Sequence, residues 1–193
     1  MMKDIVKYTG VGALVMAFLV YVITINLSAS AGEMESESVN KDSYFADFEM
    51  QGFDGKIYTE DILKGKKVTV FNGWAPWCGP CTAEMPELQE LNDLYEEKGL
   101  QVLGVVADYF ATPDSRLEKY RRDIEEVLEK DSIQYPTLLA DEAFKEGPYQ
   151  MMKNSFPCTW AVDEAGNLIE VVIGARDKAE WSKLFDKWLD SVD

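Results

Sequence analysis

Histidine does not occur anywhere in the 193 residues. Without it there is no Ser-His-Asp or Cys-His catalysis, no HExxH zinc site and no CxxCH haem attachment. Cysteine is scarce too: Cys78, Cys81 and Cys158 cannot between them close a four-cysteine metal site, and no metal centre is expected. Positive charge is the third shortage, with 19 Lys and Arg against 35 Asp and Glu, a net of -16. Nucleic acid is therefore excluded as a partner, because phosphate binding needs a basic patch that releases counterions. Apolar residues, at 47%, and aromatics, at 12%, are ample for a packed core. The length fits one domain plus an appendage. Carboxylates and thiols are left to carry any chemistry.

The appendage is N-terminal. Lys3, Asp4 and Lys7 are followed by 24 uncharged residues, Tyr8–Ala31, with an apolar heart at Val11–Leu27. As a helix this stretch would reach roughly 36 Å, enough for a hydrocarbon core of about 30 Å. A single-pass signal anchor is expected; the alternative is a signal peptide cut after Ala29-Ser30-Ala31. No cysteine lies nearby, so lipid modification is excluded. Lys3 and Lys7 would keep the N-terminus cytoplasmic and put the rest of the chain on the extracytoplasmic side of the cell membrane. Residues 32–43 (GEMESESVNKDS) are polar, acidic and aperiodic, and read as a flexible linker. Beyond Ala31 the balance is 17 basic against 34 acidic groups, a net of -17 that repels an anionic membrane surface.

Residues 44–193 alternate between strand and helix patterns, which gives an α/β domain around a mixed sheet. Phe45–Met50 and Ile57–Thr59 flank Asp54-Gly55 as a hairpin. Lys67–Phe71, Gln101–Asp108 and Thr137–Ala140 read as core strands. Helices are expected from about Pro80 to Lys98, with Gly99 as the stop, and from Thr112 to about Lys130. Glu142–Asn154 reads as a short irregular helix, and Thr159–Val162 and Leu168–Ile173 as a hairpin about DEAGN. Asp177 and Glu180 form a capping box for a last helix whose Trp181, Leu184, Phe185, Trp188 and Leu189 make a core-facing stripe.

The chemistry is concentrated in Trp74-Ala75-Pro76-Trp77-Cys78-Gly79-Pro80-Cys81, between the first core strand and its helix. Cys78 stands where free amides and the helix dipole favour an anion, which should lower its thiol pKa. Pro80 suits a first helical turn, and Gly79 lets a substrate backbone approach. Cys78 should attack a target disulfide, and Cys81 should release the product by closing the Cys78–Cys81 bond. Half a zinc site would look similar, but its other half is missing. A purely structural bond would close too small a ring to constrain the unfolded chain.

The motifs FNGWAPWCGPC (Phe71–Cys81), CTAEMPELQEL (Cys81–Leu91) and SFPCTWAVDEAGNLIEVVIGA (Ser155–Ala175) resemble the thioredoxin superfamily, more narrowly its TlpA/ResA-like membrane-anchored thiol–disulfide oxidoreductases. That resemblance covers about residues 44 to 193. It implies a thioredoxin fold with an N-terminal β extension and a helix-plus-strand insertion at about 112–154. No cofactor is implied beyond the redox-active Cys78–Cys81 pair. It also implies a cis-proline facing the cysteines. Pro157 is assigned, because strand, turn, strand and helix follow it, whereas Pro136 has the look of a strand-entry proline. Trp77, Gly79, Pro80, Phe156, Pro157 and Cys158 would then bound the substrate, with Trp74 either beside Trp77 in an apolar apron or in the core.

Two positions depart from the resemblance. Asn72 replaces the usual buried aspartate, so Glu84, three residues after Cys81, is nominated as the proton acceptor for Cys81; its alternative is a surface glutamate near a helix N-terminus. Cys158 replaces the usual threonine, either as a small buried residue or as a third thiol near the reactive pair. Gly79-Pro80 matches thioredoxin, a reductant near -270 mV. The resemblance therefore implies a monomer that reduces disulfides of exported proteins, apocytochrome c or other thiol enzymes, fed by a membrane thiol donor of the CcdA/DsbD type. A disulfide oxidase or isomerase using the same cysteines, and a non-catalytic binding module, are the rival readings. A peroxidase would need a Thr-x-x-Cys arrangement that is lacking.

Overall fold

The computed structural model describes residues 44–192. The expected membrane segment 1–31 and the linker 32–43 lie outside them. Among the described residues no helix is long and apolar enough to cross a membrane.

Seven strands form one mixed sheet: β1 (Glu49–Gly52), β2 (Ile57–Thr59), β3 (Val68–Trp74), β4 (Leu100–Val106), β5 (Thr137–Leu139), β6 (Cys158–Asp163) and β7 (Leu168–Ile173). Their order is β2-β1-β5-β4-β3-β6-β7. The pairs β3/β4 and β4/β5 are parallel, and the remaining pairs antiparallel. Central strand β3 is buried at all seven positions, as its β-branched and aromatic run requires.

Side-chain alternation then divides the core. Val68 and Val70 point to one face, against Leu88, Leu91, Trp181 and Phe185. Phe71 points to the other, against Phe45, Leu103, Phe144 and Trp160. The first face carries helices α1 (Gly79–Tyr95), α2 (Asp114–Lys130) and α4 (Lys178–Ser191); the second carries the short α3 (Glu142–Glu146).

Helix α1 buries Cys81, Glu84, Met85, Leu88, Leu91 and Tyr95 and ends through a 3-10 turn at Gly99, whose φ of 88° suits glycine. Helix α4 opens on the Asp177–Glu180 capping box and buries Trp181, Phe185, Trp188 and Leu189. The Tyr95 ring of α1 meets the Phe185 ring of α4 edge-on with centroids 5.4 Å apart, which joins the two helices.

The first strand starts later than the pattern suggests. Tyr44–Ala46 is a 3-10 turn, and β1 begins at Glu49. Tyr44 and Phe45 are both buried in the same apolar cluster, a placement that strict strand alternation forbids for neighbours. This segment also runs tightly over the β6–β7 turn. A Cβ on Gly166, whose φ is 79°, would come within 2.4 Å of the Ala46 nitrogen.

The helix-plus-strand unit occupies Asp114–Leu139. Ile124 of α2 packs on the α1 side, with Trp74 and Met85, whereas Phe144 of α3 packs on the opposite face. So the single stretch at 112–154 consists of two parts that serve different layers.

Candidate active site

Strand β3 ends at Trp74, and four residues later Cys78 caps the N-terminus of α1. Cys78 and Cys81 are joined by a disulfide with their Cα atoms 5.3 Å apart. The Cys81 amide donates to Cys78 Sγ at 3.3 Å, so an anion on that sulfur would meet a backbone N–H and the positive end of the helix. The two sulfurs are unequal: Cys78 keeps 5% of its surface and Cys81 none. An incoming nucleophile or substrate can reach only the first.

Trp77 stands outermost, 63% exposed. Its indole Nε1 donates to Asp108 Oδ2 at 2.8 Å, and its ring meets Phe156 edge-on with centroids 5.2 Å apart. Tyr120 of α2 donates to the other oxygen of Asp108. These contacts tie the cysteine loop, the end of β4 and the inserted helix together. A groove of about 740 Å³ runs from Pro76 and Trp77 along α2, past Asp108, Arg116 and Tyr120. Trp74, by contrast, is fully buried and belongs to the core.

Gly79 is exposed and a Cβ there would meet nothing within 4 Å, so the fold itself does not demand glycine. The Phe156–Pro157 peptide is cis. Pro136 leads into β5, and its carbonyl accepts the Gly104 amide at 2.8 Å. Half-buried Phe156 packs with the cluster that holds Cys78 and Cys81.

Glu84 is buried, 3% exposed, so the surface reading of this residue is corrected: the i+3 position after Cys81 faces the sheet. Asn72 Nδ2 donates to Oε1 at 3.0 Å. The Arg176 amide at 3.0 Å and Trp181 Nε1 at 3.2 Å donate to Oε2. Asn72 also donates to Thr159 Oγ1 at 3.0 Å. Burial pushes the Glu84 carboxyl above its usual range, and the donors from Arg176, Asn72 and Trp181 only partly offset it. A buried carboxyl whose pKa is raised holds its proton more firmly than a solvated one.

Cys158 lies elsewhere. Alternation along β6 turns it to the sheet face of Phe45, Phe71 and Trp160, opposite the face that receives Thr159. It is a free thiol with no exposed surface, and burial pushes its pKa up to about 12. A thiol so held is neutral and a poor nucleophile.

Sequence reasoning missed Asp108, Tyr120, Thr159, Arg176 and the polar role of Trp181. One signal was present: a lone amide, Asn72, inside the apolar run VTVFNGW, which needs buried partners.

Comparison with known proteins agrees with this geometry. The AhpC/TSA family model matches residues 42–171. Thioredoxin-like protein YneN of Bacillus subtilis (strain 168) is 31% identical over 140 residues, covering 72% of this chain and 75% of that protein. Thiol-disulfide oxidoreductase ResA of Geobacillus thermodenitrificans (strain NG80-2) is 24% identical over 183 residues, 92% of each chain. Among solved structures, a thiol:disulfide interchange protein of the thioredoxin family from Chlorobium tepidum TLS superposes with a TM-score of 0.59. It is 22% identical, covers 74% of this chain and 93% of its own, and speaks for the fold alone. The chain belongs to the AhpC/TSA family and, within the thioredoxin superfamily, is a TlpA/ResA-like thiol:disulfide oxidoreductase.

Proposed function

We propose that this protein is a membrane-tethered, extracytoplasmic reductant that donates electrons from the Cys78/Cys81 dithiol to disulfides of exported proteins. The observation that carries the reading is the asymmetry of the pair: a slightly open Cys78 at the helix N-terminus, receiving the Cys81 amide, and a fully enclosed Cys81 behind it.

In the reaction, the Cys78 thiolate attacks one sulfur of the substrate disulfide, forming a mixed disulfide. The displaced substrate sulfur leaves as a thiolate and takes a proton from solvent. Cys81 then gives its proton to Glu84 and attacks Cys78 Sγ. The second substrate sulfur leaves, and the Cys78–Cys81 disulfide closes. Two electrons have passed to the substrate. Phe156, which packs with the cluster of Cys78 and Cys81, the cis Pro157 that follows it and the apolar surface of Trp77 would receive the substrate chain. A membrane thiol donor of the CcdA/DsbD type would reduce Cys78–Cys81 again. Residues 1–31 would supply the tether, and apocytochrome c or another exported thiol protein the substrate. Gly79-Pro80 favours the reducing direction, since thioredoxin with this dipeptide sits near -270 mV.

Equilibration with glutathione tests the direction. A midpoint below about -230 mV is expected, and one near the -120 mV of DsbA would make the protein an oxidant instead. Trapping with Cys81→Ser, which strands partners on Cys78, would identify substrate and donor.

A further inference from the structure

Helix α2 turns one stripe of side chains toward the cysteine loop. Arg116, Lys119, Tyr120, Asp123, Val127 and Lys130 recur at i, i+3, i+4, i+7, i+11 and i+14, a single helix face. All six line the groove of about 740 Å³ that begins at Pro76 and Trp77. The stripe is roughly 21 Å long, room for about six residues of extended chain. Its floor is continuous with the reactive centre, because Tyr120 and Val127 pack against the apolar cluster that holds Cys78 and Cys81. Trp77 borders the groove, with its ring edge on Phe156 and its indole N–H on Asp108. A substrate chain whose cysteine reaches Cys78 passes Trp77 and can continue along α2.

Charge sets this groove apart from the molecule around it. Arg116, Lys119 and Lys130 stand with Asp108, Asp123 and Glu126, three of each sign, on a chain whose net charge is -16. An acidic segment, repelled by the molecule as a whole, meets no such excess here. Three of the six are already engaged: Asp108 accepts from Trp77 and Tyr120, and Lys119 is paired with Asp123 at 2.6 Å. Glu126 and Lys130 stand four residues apart, the helical spacing at which opposite charges attract. Arg116 has no such neighbour. The positions three and four away from it are Thr112, Pro113, Lys119 and Tyr120, none of them acidic, and its exposed guanidinium makes no bond among the described residues.

We propose that this groove is a specificity subsite for the substrate chain, in which Arg116 takes the carboxylate of an aspartate or glutamate about three residues from the substrate cysteine. A guanidinium presents a planar fork of donors that holds both oxygens of a carboxylate at once. The spacing follows from the geometry. Tyr120 and Trp77 share Asp108, and Arg116 stands one helical turn, roughly 6 Å, before Tyr120. An extended chain advances about 3.3 Å per residue, so three residues carry it from the Trp77 edge to Arg116. The inference rests on the reading of Cys78 as the sulfur that exchanges with substrate and adds to it which chains are preferred.

Two seven-residue peptides with blocked termini test it. Each has cysteine at its centre, carried as a mixed disulfide with thionitrobenzoate, and either glutamate or lysine at both ends. The reduced full-length protein converts each to peptide thiol and thionitrobenzoate while Cys78 and Cys81 close their disulfide, so released thionitrobenzoate gives the rate. At low ionic strength, where exposed charges are least screened, Arg116→Glu should lower the ratio of glutamate-peptide to lysine-peptide rates at least fivefold. Lys183→Glu makes the same change of net charge at an exposed site on α4, outside the groove, and should leave the ratio within twofold. A fall of less than fivefold in Arg116→Glu, or an equal fall in Lys183→Glu, overturns the subsite. Hydroxyethyl disulfide, uncharged and too short to reach α2 from Cys78, should be reduced by Arg116→Glu within twofold of wild type. A larger loss there would show that Arg116 acts on the cysteine loop itself and would overturn the specificity role. If the wild type reduces neither the peptides nor hydroxyethyl disulfide, the thiol-exchange reading falls and takes the subsite with it. If it reduces both and the peptide ratio does not respond to Arg116→Glu, the subsite alone falls.

Discussion

Trp181 Nε1 donates to Glu84 Oε2 across 3.2 Å, joining the last helix to the active-site helix over 97 positions of sequence. Together with Asn72 and the Arg176 amide, this gives the buried carboxyl three hydrogen-bond donors.

Replacing Glu84 by Gln should change how stability depends on pH. Burial raises the folded-state pKa, so the folded protein holds this proton more firmly than the unfolded chain does. The wild-type carboxyl costs nothing below its unfolded value of 4.5, and its ionisation erodes stability as pH rises through the raised folded value. The stability of Glu84→Gln relative to wild type should thus improve as pH rises above 4.5 and level off beyond the raised folded value. The size is about 1.4 kcal/mol for each pH unit separating folded and unfolded midpoints. Urea unfolding at several pH values measures it; a difference that is flat with pH would contradict the burial argument.

Cys158 should behave as a bystander thiol. Its pKa of about 12 and its fully buried position predict no alkylation in the native oxidised protein and one free thiol after unfolding. Mass spectrometry decides it, and a disulfide containing Cys158 would revive a role beside the reactive pair. Cys158→Ala should leave thiol-exchange rates within about twofold.

Trp77 spends its indole N–H on Asp108 and its edge on Phe156, while 63% of its surface stays open. Removing it by Trp77→Ala should lower kcat/KM toward protein disulfides about 3- to 10-fold, the equivalent of one lost aromatic contact. Stability should change little, because the ring lies outside the core. A small disulfide such as oxidised glutathione should lose less than a protein substrate; equal losses would argue against a docking role.

Phe185 has no exposed surface and packs against Tyr95, Trp181 and Trp188. Phe185→Ala should cost about 3–5 kcal/mol in chemical unfolding. It should also loosen Trp181 from Glu84, so the loss should be accompanied by a shifted pH profile. A loss below 1 kcal/mol would mean that the α1–α4 seam is not the core of the domain.

How much of this was legible beforehand depends on the range of the interaction. Short-range patterns were: the cap Asp177–Glu180, the stop at Gly99, the stripe of Trp181, Phe185 and Trp188, and the β6–β7 turn all follow from neighbours within a few residues. The aromatic start at Tyr44 and Phe45 was misleading, because β-propensity reads as strand while packing onto Phe71 and Phe144 takes both rings to one face. Burial of Glu84 was invisible for a different reason. Two of its donors come from 92 and 97 positions away, and only the closed fold sets them beside it. Asp108 escaped notice similarly, being one of many acids until Trp77 and Tyr120 converge on it.

The central claim is that Cys78 is the activated sulfur. Rates of iodoacetamide alkylation of the reduced protein, followed by peptide mass spectrometry from pH 4 to 10, test it most directly. The account predicts that Cys78 is modified first and titrates well below the 8.5 of free cysteine, with Cys81 protected. A Cys78 that reacts no faster than free cysteine, or a Cys81 that reacts before it, would contradict the account.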